Sequence, residues 1–419
     1  MKKQTSPPSS HVSPLELYRG DIERCVKCGS CHAVCPAYLR ERSESQSARG
    51  RMALVKAVLD GRLAVSAIFK DRLATCTSCL ACVASCPNGV PVTKIIQAAK
   101  ERAVAESGLG IINKVISAVL KYPASLRAAA WLAPVALHYA KGLRLNSSFG
   151  IRRSGEPKGR GRLTSRGRVV FFPGCAIDAF QKDVGKSVLS VLGRLGYDVV
   201  VPSGLQCCGR PLLSLGDRRA AEEHAARNTR LLKAAGADAI VTACASCGLT
   251  FKEEYPRLLR PSGTAPDVLD IHEFIAKTLP DAPLGPVRKT VTYHDPCHLG
   301  RGQGLSGTAR SILRSLPALV LVEMHNADRC CGFGGVMRIA HWKLSDGIAE
   351  EKARNIIATN ASAVVTGCPG CRMQIANALK LAGSDAEVLH TVQMVEEALV
   401  NAEAASERIN GQSSRRAGQ

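Results

Sequence analysis

Two periodicities divide the chain. Up to residue 140 the apolar residues recur at helical spacing. Met52 to Leu59 forms one such segment, opened by Ala48-Arg49-Gly50-Arg51 and closed by Asp60-Gly61, which predicts a helix with a glycine stop. Helices are also expected over roughly 65–75 and 92–106, and two more over 109–140, separated by Pro123. From residue 169 onward short apolar runs alternate with helical stretches. The runs are Val169–Phe172, Asp198–Val201, Ala239–Thr242, Val291–Tyr293, Val320–Val322 and Ala363–Thr366. Short apolar strands alternating with helices imply βα units and parallel sheets. The expected fold class is therefore α/β overall, with an α-helical N-terminal region followed by two tandem α/β repeats.

The repeat is legible in the cysteines. The first copy carries Cys175, Cys207-Cys208-Gly209 and Cys244-x-x-Cys247; the second carries Cys297, Cys330-Cys331-Gly332 and Cys368-x-x-Cys371. Corresponding cysteines are offset by 122, 123 and 124 positions. So constant an offset marks an internal duplication. The cysteines fall at strand ends and loop starts, where open α/β sheets present ligands. The glycine after each Cys-Cys pair permits positive φ and a close approach to a metal group. A larger iron–sulfur cluster, four-cysteine zinc and thiol–disulfide chemistry all remain open for these two sets.

The N-terminal cysteines are more specific. Cys25-x-x-Cys28-x-x-Cys31-x-x-x-Cys35-Pro36 and Cys76-x-x-Cys79-x-x-Cys82-x-x-x-Cys86-Pro87 have the ligand spacing of a two-cluster ferredoxin. In that pattern three cysteines of a run hold one [4Fe–4S] cluster and the fourth ligates the other. Cys25, Cys28, Cys31 and Cys86 are expected to hold the first cubane, and Cys35, Cys76, Cys79 and Cys82 the second. Structural zinc sites instead pair short Cys-x-x-Cys hooks across a longer gap. The long, helix-forming gap between Cys35 and Cys76 points to an α-helical ferredoxin domain.

The expected boundaries are a flexible arm (1–20), the ferredoxin domain (21–106), a helical segment (107–140), a basic linker (141–168), two cysteine-rich repeats (169–285 and 286–402) and a flexible tail (403–419). The 419 residues are 46% hydrophobic, enough to bury real cores. Aromatics are only 4%, leaving little material for stacking on nucleic acid, and no helix-turn-helix or finger spacing accompanies the charge. The net charge of +21 suggests an acidic partner surface or an anionic membrane face. The linker alone carries nine Lys/Arg against one acid, Glu156. The segment 109–140 reads as a packed helical hairpin, with an interfacial amphipathic segment as the alternative. Eighteen cysteines in a long chain, all in short-spaced motifs, favour metal ligation in a reducing compartment. With neither an apolar leader nor a run of 18 apolar residues, the expected location is cytoplasmic, with the inner face of the cell membrane as the peripheral alternative.

No Gly-x-Gly-x-x-Gly follows a strand and there is no Walker A loop; Gly300-Arg301-Gly302-Gln303-Gly304 lacks the fingerprint. Hydride removal needs a flavin or nicotinamide, so neither is expected on this chain and no residue is assigned a catalytic role. His294, Asp295 and His298 surround Cys297. They read either as proton donors or hydrogen-bond partners of a centre, or as structural groups with Asp295-Pro296 capping a helix. His32 should be exposed beside the first run. Arg301, Arg329 and Arg338 lie near the second set and are candidates for a carboxylate.

The double motif resembles the cysteine-rich CCG domain of heterodisulfide reductases and their relatives. There the domain carries a non-cubane iron–sulfur cluster on five cysteines. Cys175, Cys207, Cys208, Cys244 and Cys247 match one set; Cys297, Cys330, Cys331, Cys368 and Cys371 match the other. With the ferredoxin runs, residues 20–400 resemble the iron–sulfur subunit of bacterial glycolate oxidase (glycolate dehydrogenase). Ala48-Arg49-Gly50-Arg51 sits where that family has an Arg-Gly-Arg opening its inter-cluster helix. The resemblance implies an oxidoreductase electron-transport subunit that takes electrons from a partner FAD dehydrogenase oxidising glycolate to glyoxylate and passes them to a quinone or another acceptor. All ten CCG cysteines are kept, which also draws the chain toward heterodisulfide-reductase-like catalytic subunits and toward lactate or glycerol-3-phosphate dehydrogenase relatives.

Overall fold

A computed structural model describes residues 14–122, 124–128, 166–261, 263–335 and 337–417, with side chains to Glu407 and Arg408 at the C-terminal end. The second half of the expected hairpin beyond 128, most of the basic linker and the start of the N-terminal arm lie outside these residues.

The N-terminal region is all helical, as its 3.6-residue pattern requires. Ala48–Leu59 begins at Ser47, whose hydroxyl accepts from the Gly50 amide, and ends at Asp60-Gly61. Ala67–Ala74 and Val92–Ser107 complete the frame between and after the cysteine runs. Met52, Val55, Leu73, Ile95 and Ile96 form its core. Leu15 is fully buried in that core and Glu16–Tyr18 and Arg19–Glu23 are helical. The arm expected over 1–20 is therefore folded from residue 14, because Leu15 has an apolar site to fill.

Each repeat is a four-stranded parallel sheet. β1 (Arg168–Phe171), β2 (Asp198–Val200), β3 (Ala239–Thr242) and β4 (Leu269–Asp270) run in the order β2-β1-β3-β4. β5 (Thr290–His294), β6 (Val320–Val322), β7 (Ala363–Thr366) and β8 (Glu387–His390) repeat it as β6-β5-β7-β8. β4 and β8 escape the hydrophobic pattern because polar residues interrupt them: β4 is Leu269-Asp270, and β8 has only Val388-Leu389 between Glu387 and His390.

The repeats do not pack as two separate units. Helix Thr391–Ala417, from the end of the second repeat, packs on Lys182–Arg194 of the first. Helix Ile271–Thr278, from the end of the first, packs on Ser306–Ser315 of the second. This reciprocal exchange is the geometry of an isologous interface formed within one chain. One apolar core runs through it, including Val169, Val188, Val241, Val291, Val365 and Val395. The boundary between residues 285 and 286 separates sequence repeats but cuts this shared core. The tail expected to be flexible from 403 continues the last helix through Ala417, and Glu403 pairs with Arg194 of the first repeat. Its Ala, Glu and Arg content favours helix.

Helix Ile111–Lys121 lies against helices Arg210–Leu215 and Arg218–Ala234. It leaves Ile111, Ile112 and Val115 exposed. Among the described residues no single helix is long and apolar enough to cross a membrane.

Candidate iron–sulfur and thiolate centres

The two N-terminal runs fold into turns that gather their sulfurs. Cys25, Cys28, Cys31 and Cys86 line one cavity, with Cys82 at its inner side. Cys35, Cys76, Cys79 and Cys82 line a second cavity. Cys86 of the second run thus lies with the first run, Cys35 of the first lies with the second, and Cys82 lines both cavities. Backbone amides point at sulfur: Ser78 N–H donates to Cys76 Sγ at 3.4 Å and Val90 N–H to Cys86 Sγ at 3.5 Å. Burial pushes the Cys31, Cys35 and Cys82 thiols up. Buried thiols become ligands only opposite a cationic group, so four converging sulfurs with donated N–H groups fit an iron–sulfur cluster. All eighteen cysteines are free of disulfides, as this chemistry requires.

The Arg49-Gly50-Arg51 sequence supports both cavities. Arg49 forks onto Glu44 at 2.8 and 3.0 Å and donates to the Lys27 carbonyl at 3.1 Å, fixing the turn before Cys28. Arg51 is 1% exposed and donates to the Arg72 carbonyl and to Thr75 Oγ1, both at 2.7 Å, fixing the approach to Cys76. Gly50 has no room for a side chain, because a Cβ there would overlap the Glu44 carbonyl.

The ten remaining cysteines form one connected group. In the first set Cys207 Sγ lies 3.4 Å from Cys175 Sγ. Cys208 contacts Cys207 and Cys247, and Cys247 contacts Cys244. In the second set Cys330 contacts Cys297 and Cys331, and Cys371 contacts Cys331 and Cys368. Two further contacts join the groups: Cys244 meets Cys368 across the repeat interface, and Cys330 meets Cys79 of the ferredoxin region. The contact order from Cys79 to Cys175 is unbroken. Such buried thiols in contact suit soft metals or thiol exchange.

Gly209 and Gly332 do have positive φ, 93° and 89°. The close approach they permit is to a helix. A Cβ on Gly332 would lie 2.6 Å from the Ser345 carbonyl, and one on Gly209 would lie 3.4 Å from Ala221 Cβ. It is Gly174, at φ 66°, that lets a sulfur in close: its Cβ would sit 2.7 Å from Cys247 Sγ.

The charged neighbours are mostly paired. Asp295 accepts from Ser306 Oγ at 2.5 Å and pairs with Arg310 at 2.8 Å. Helix Cys297–Gln303 has no side-chain cap, so the expected Asp295 cap is not formed. His298 is buried and bridges three regions: Nδ1 meets Ser246 Oγ at 2.9 Å and Nε2 meets the Ser78 carbonyl at 3.1 Å. Burial lowers its pKa to about 4. His294 is fully buried, with its pKa lowered by burial to about 3. His32 is partly covered rather than exposed, stacking on Tyr38 at 4.2 Å and facing Glu44. Arg301 pairs with Asp328 at 2.7 Å and Arg329 with Glu351 at 2.6 Å; both line a cavity that reaches Cys330. Arg338 is bound to Asp346 instead and is not among the residues lining that cavity. The roles of Ser78 and Ser246 had no sequence signal beyond lying between cysteines.

Residues 21–90 match the 4Fe-4S dicluster domain family, and residues 169–252 and 291–376 match the cysteine-rich CCG domain family. A fumarate reductase (CoM/CoB) subunit of Methanothermobacter marburgensis is 35% identical over 90% of this chain and 72% of its own length. The probable glycolate oxidase iron–sulfur subunit of Bacillus subtilis is 28% identical over 90% of this chain and 94% of its own. A subunit of the dihydromethanophenazine:CoB–CoM heterodisulfide reductase of Methanosarcina barkeri is 27% identical over 95% and 98%. The crystal structure of a hypothetical protein from Helicobacter pylori covers 92% of this chain and 76% of that one, with a TM-score of 0.52 at 10% identity, a likeness of fold alone. With both cluster regions and the duplicated CCG domains matched, the chain belongs to the iron–sulfur oxidoreductase subunits whose members include those of glycolate oxidase and heterodisulfide reductase, and it is an iron–sulfur electron-transfer subunit of that family.

Proposed function

We propose that this chain is the electron-transfer subunit of a flavin-dependent 2-hydroxy-acid dehydrogenase, with glycolate oxidised to glyoxylate on a partner FAD subunit and a quinone or other carrier as the terminal acceptor. The observation that carries the reading is the unbroken thiol contact order from the ferredoxin region through Cys79 and Cys330 to Cys368, Cys244 and Cys175. Cys25, Cys28, Cys31 and Cys86 hold one [4Fe–4S] cluster, and Cys35, Cys76, Cys79 and Cys82 the other. The two five-cysteine sets each hold a further iron–sulfur centre. Bound clusters supply one-electron steps, which is how a two-electron flavin oxidation is split.

The protein's own part is placement. Arg49 and Arg51 fix the two cluster turns, amides polarise Cys76, Cys86 and Cys330, and His298 holds the Ser78 loop against the repeat interface. Cys28 is exposed, giving the first cluster an edge toward a partner. The test is reconstitution. The anaerobically purified chain is expected to show no glycolate–dye activity alone and to gain it when the flavin subunit is added. Full activity from the chain alone would falsify the reading.

A second reading is favoured by one contact. Cys244 and Cys368 bring the two sets together at the repeat interface, so a disulfide substrate reduced between them is the alternative, in line with the 35% identity to a fumarate reductase (CoM/CoB) subunit. Reduction of CoM–CoB disulfide by the isolated, chemically reduced chain decides for it.

A further inference from the structure

The duplication allows each residue around one cysteine set to be compared with its counterpart around the other. β1 leads into the first set as Phe171-Phe172-Pro173-Gly174-Cys175; β5 leads into the second as Tyr293-His294-Asp295-Pro296-Cys297. Phe172 and His294 thus occupy the same place, three residues before the leading cysteine. Both are completely buried. Phe172 packs edge-on against Phe251, with ring centroids 4.9 Å apart, as an ordinary core residue. His294 does something else.

A ring nitrogen of His294, Cys331 Sγ and Cys371 Sγ all lie within 4.8 Å of one another. Neither ring nitrogen completes a hydrogen bond of normal geometry. The nearby Ala327 carbonyl is already engaged, accepting from the Asp295 N–H at 3.1 Å and from Lys352 Nζ at 3.2 Å. An imidazole buried beside two thiols with no partner costs stability unless something else takes its lone pair. A metal held by the two sulfurs would take the lone pair of the ring nitrogen that faces them. One imidazole and two thiolates are a donor set for iron or zinc.

We propose that His294 is a direct ligand, together with Cys331 and Cys371, of a metal ion in the second cysteine set, and that the duplicated sets therefore hold chemically different centres. At the place of His294 the first has Phe172, a buried ring with no donor atom to offer. The second has a nitrogen donor. It is also the set in contact with the ferredoxin region through Cys330 and Cys79. An iron that takes a neutral imidazole has a higher reduction potential than one held by thiolates alone. The difference in donors therefore gives the two centres different potentials in spite of their common fold.

The inference rests on the reading of the second cysteine set as a metal centre, and the experiment separates the two. The full chain is prepared anaerobically with 15N-labelled histidine and its metal content is measured. Pulsed EPR is then recorded on the as-isolated chain, and on the Co2+-loaded chain where the second centre is EPR-silent. The expected result is a strongly coupled histidine nitrogen that is lost in both His294→Phe and His294→Gln. The Phe variant carries the residue the first repeat tolerates at the same place, and the Gln variant keeps polarity if Phe fails to fold. Metal bound by the second set without a strongly coupled histidine nitrogen, or with one that survives both substitutions, overturns the His294 assignment alone. No uptake of metal by the second set overturns both readings.

Discussion

The Cys79 thiol of the ferredoxin region touches the Cys330 thiol of the second repeat. These residues are 251 positions apart in the sequence. Their contact turns two separate cysteine patterns into one connected path. Cys79→Ser is expected to remove the second cubane and leave the first. Iron content should then fall by about four per chain, the stoichiometry of one cubane. Cys330→Ala should keep both cubanes, seen by EPR, while slowing electron delivery to the second set in rapid-mixing experiments.

The Arg-Gly-Arg segment should be intolerant for separate reasons at each position. Gly50→Ala forces a methyl against the Glu44 carbonyl and is expected to cost about 1–3 kcal/mol, the usual range for overpacking, read by thermal unfolding. Arg51→Lys loses the two-pronged hold on Arg72 and Thr75. It should therefore lose the second cubane faster under chelator than the first, followed by visible absorption.

Acid should loosen the first cluster turn. The Arg49 guanidinium holds the Glu44 carboxyl down to about 2. A carboxylate depressed in the fold contributes stability above its unfolded pKa of about 4.3 that is lost as pH falls through the folded value. The window is therefore between about pH 4 and 2. Glu44→Gln should bring cluster loss at neutral pH closer to the wild-type rate at low pH, measured by absorbance decay. Equal decay of both proteins at pH 7 would count against the clamp.

Glu101 ties the ferredoxin helix Val92–Ser107 to the first repeat. Its side chain is 3% exposed and accepts from Arg257 at 3.0 and 3.2 Å. Glu101→Ala leaves Arg257 with Glu254 alone, at 3.2 Å, and a destabilisation of about 1 kcal/mol is expected after discounting for that remaining pair and for the part of Arg257 that solvent reaches. A calorimetric scan should show the lower transition.

The apolar face at Ile111, Ile112 and Val115, followed in sequence by a linker of net +8, suits an anionic lipid surface. Replacing all three by Ser should cut co-sedimentation with phosphatidylserine vesicles several-fold and leave the melting temperature unchanged. Unaltered vesicle binding would remove the lipid reading.

The two closely spaced cysteine runs, the duplication and six of the eight strands were already legible along the chain. Each of these is written in local spacing: thiols three residues apart, offsets of 122–124, short apolar runs between helices. The sequence did not reveal β4 and β8: β4 is only Leu269-Asp270, and β8 has just Val388-Leu389 between Glu387 and His390, so neither makes an apolar run. Nor did it show the folded Leu15 or the helical tail, which depend on neighbours far along the chain. Above all, it is the packing of the folded chain that sets helices Ile271–Thr278 and Thr391–Ala417 reciprocally across the repeats. That packing buries apolar faces contributed by both repeats and brings Cys244 to Cys368; within the second repeat, the pairing of β5 with β7 leaves His294 beside Cys331 and Cys371. Periodicity along a chain says which face is buried. Which other face it is buried against, and so which thiols and imidazoles meet, is settled only when the elements pack.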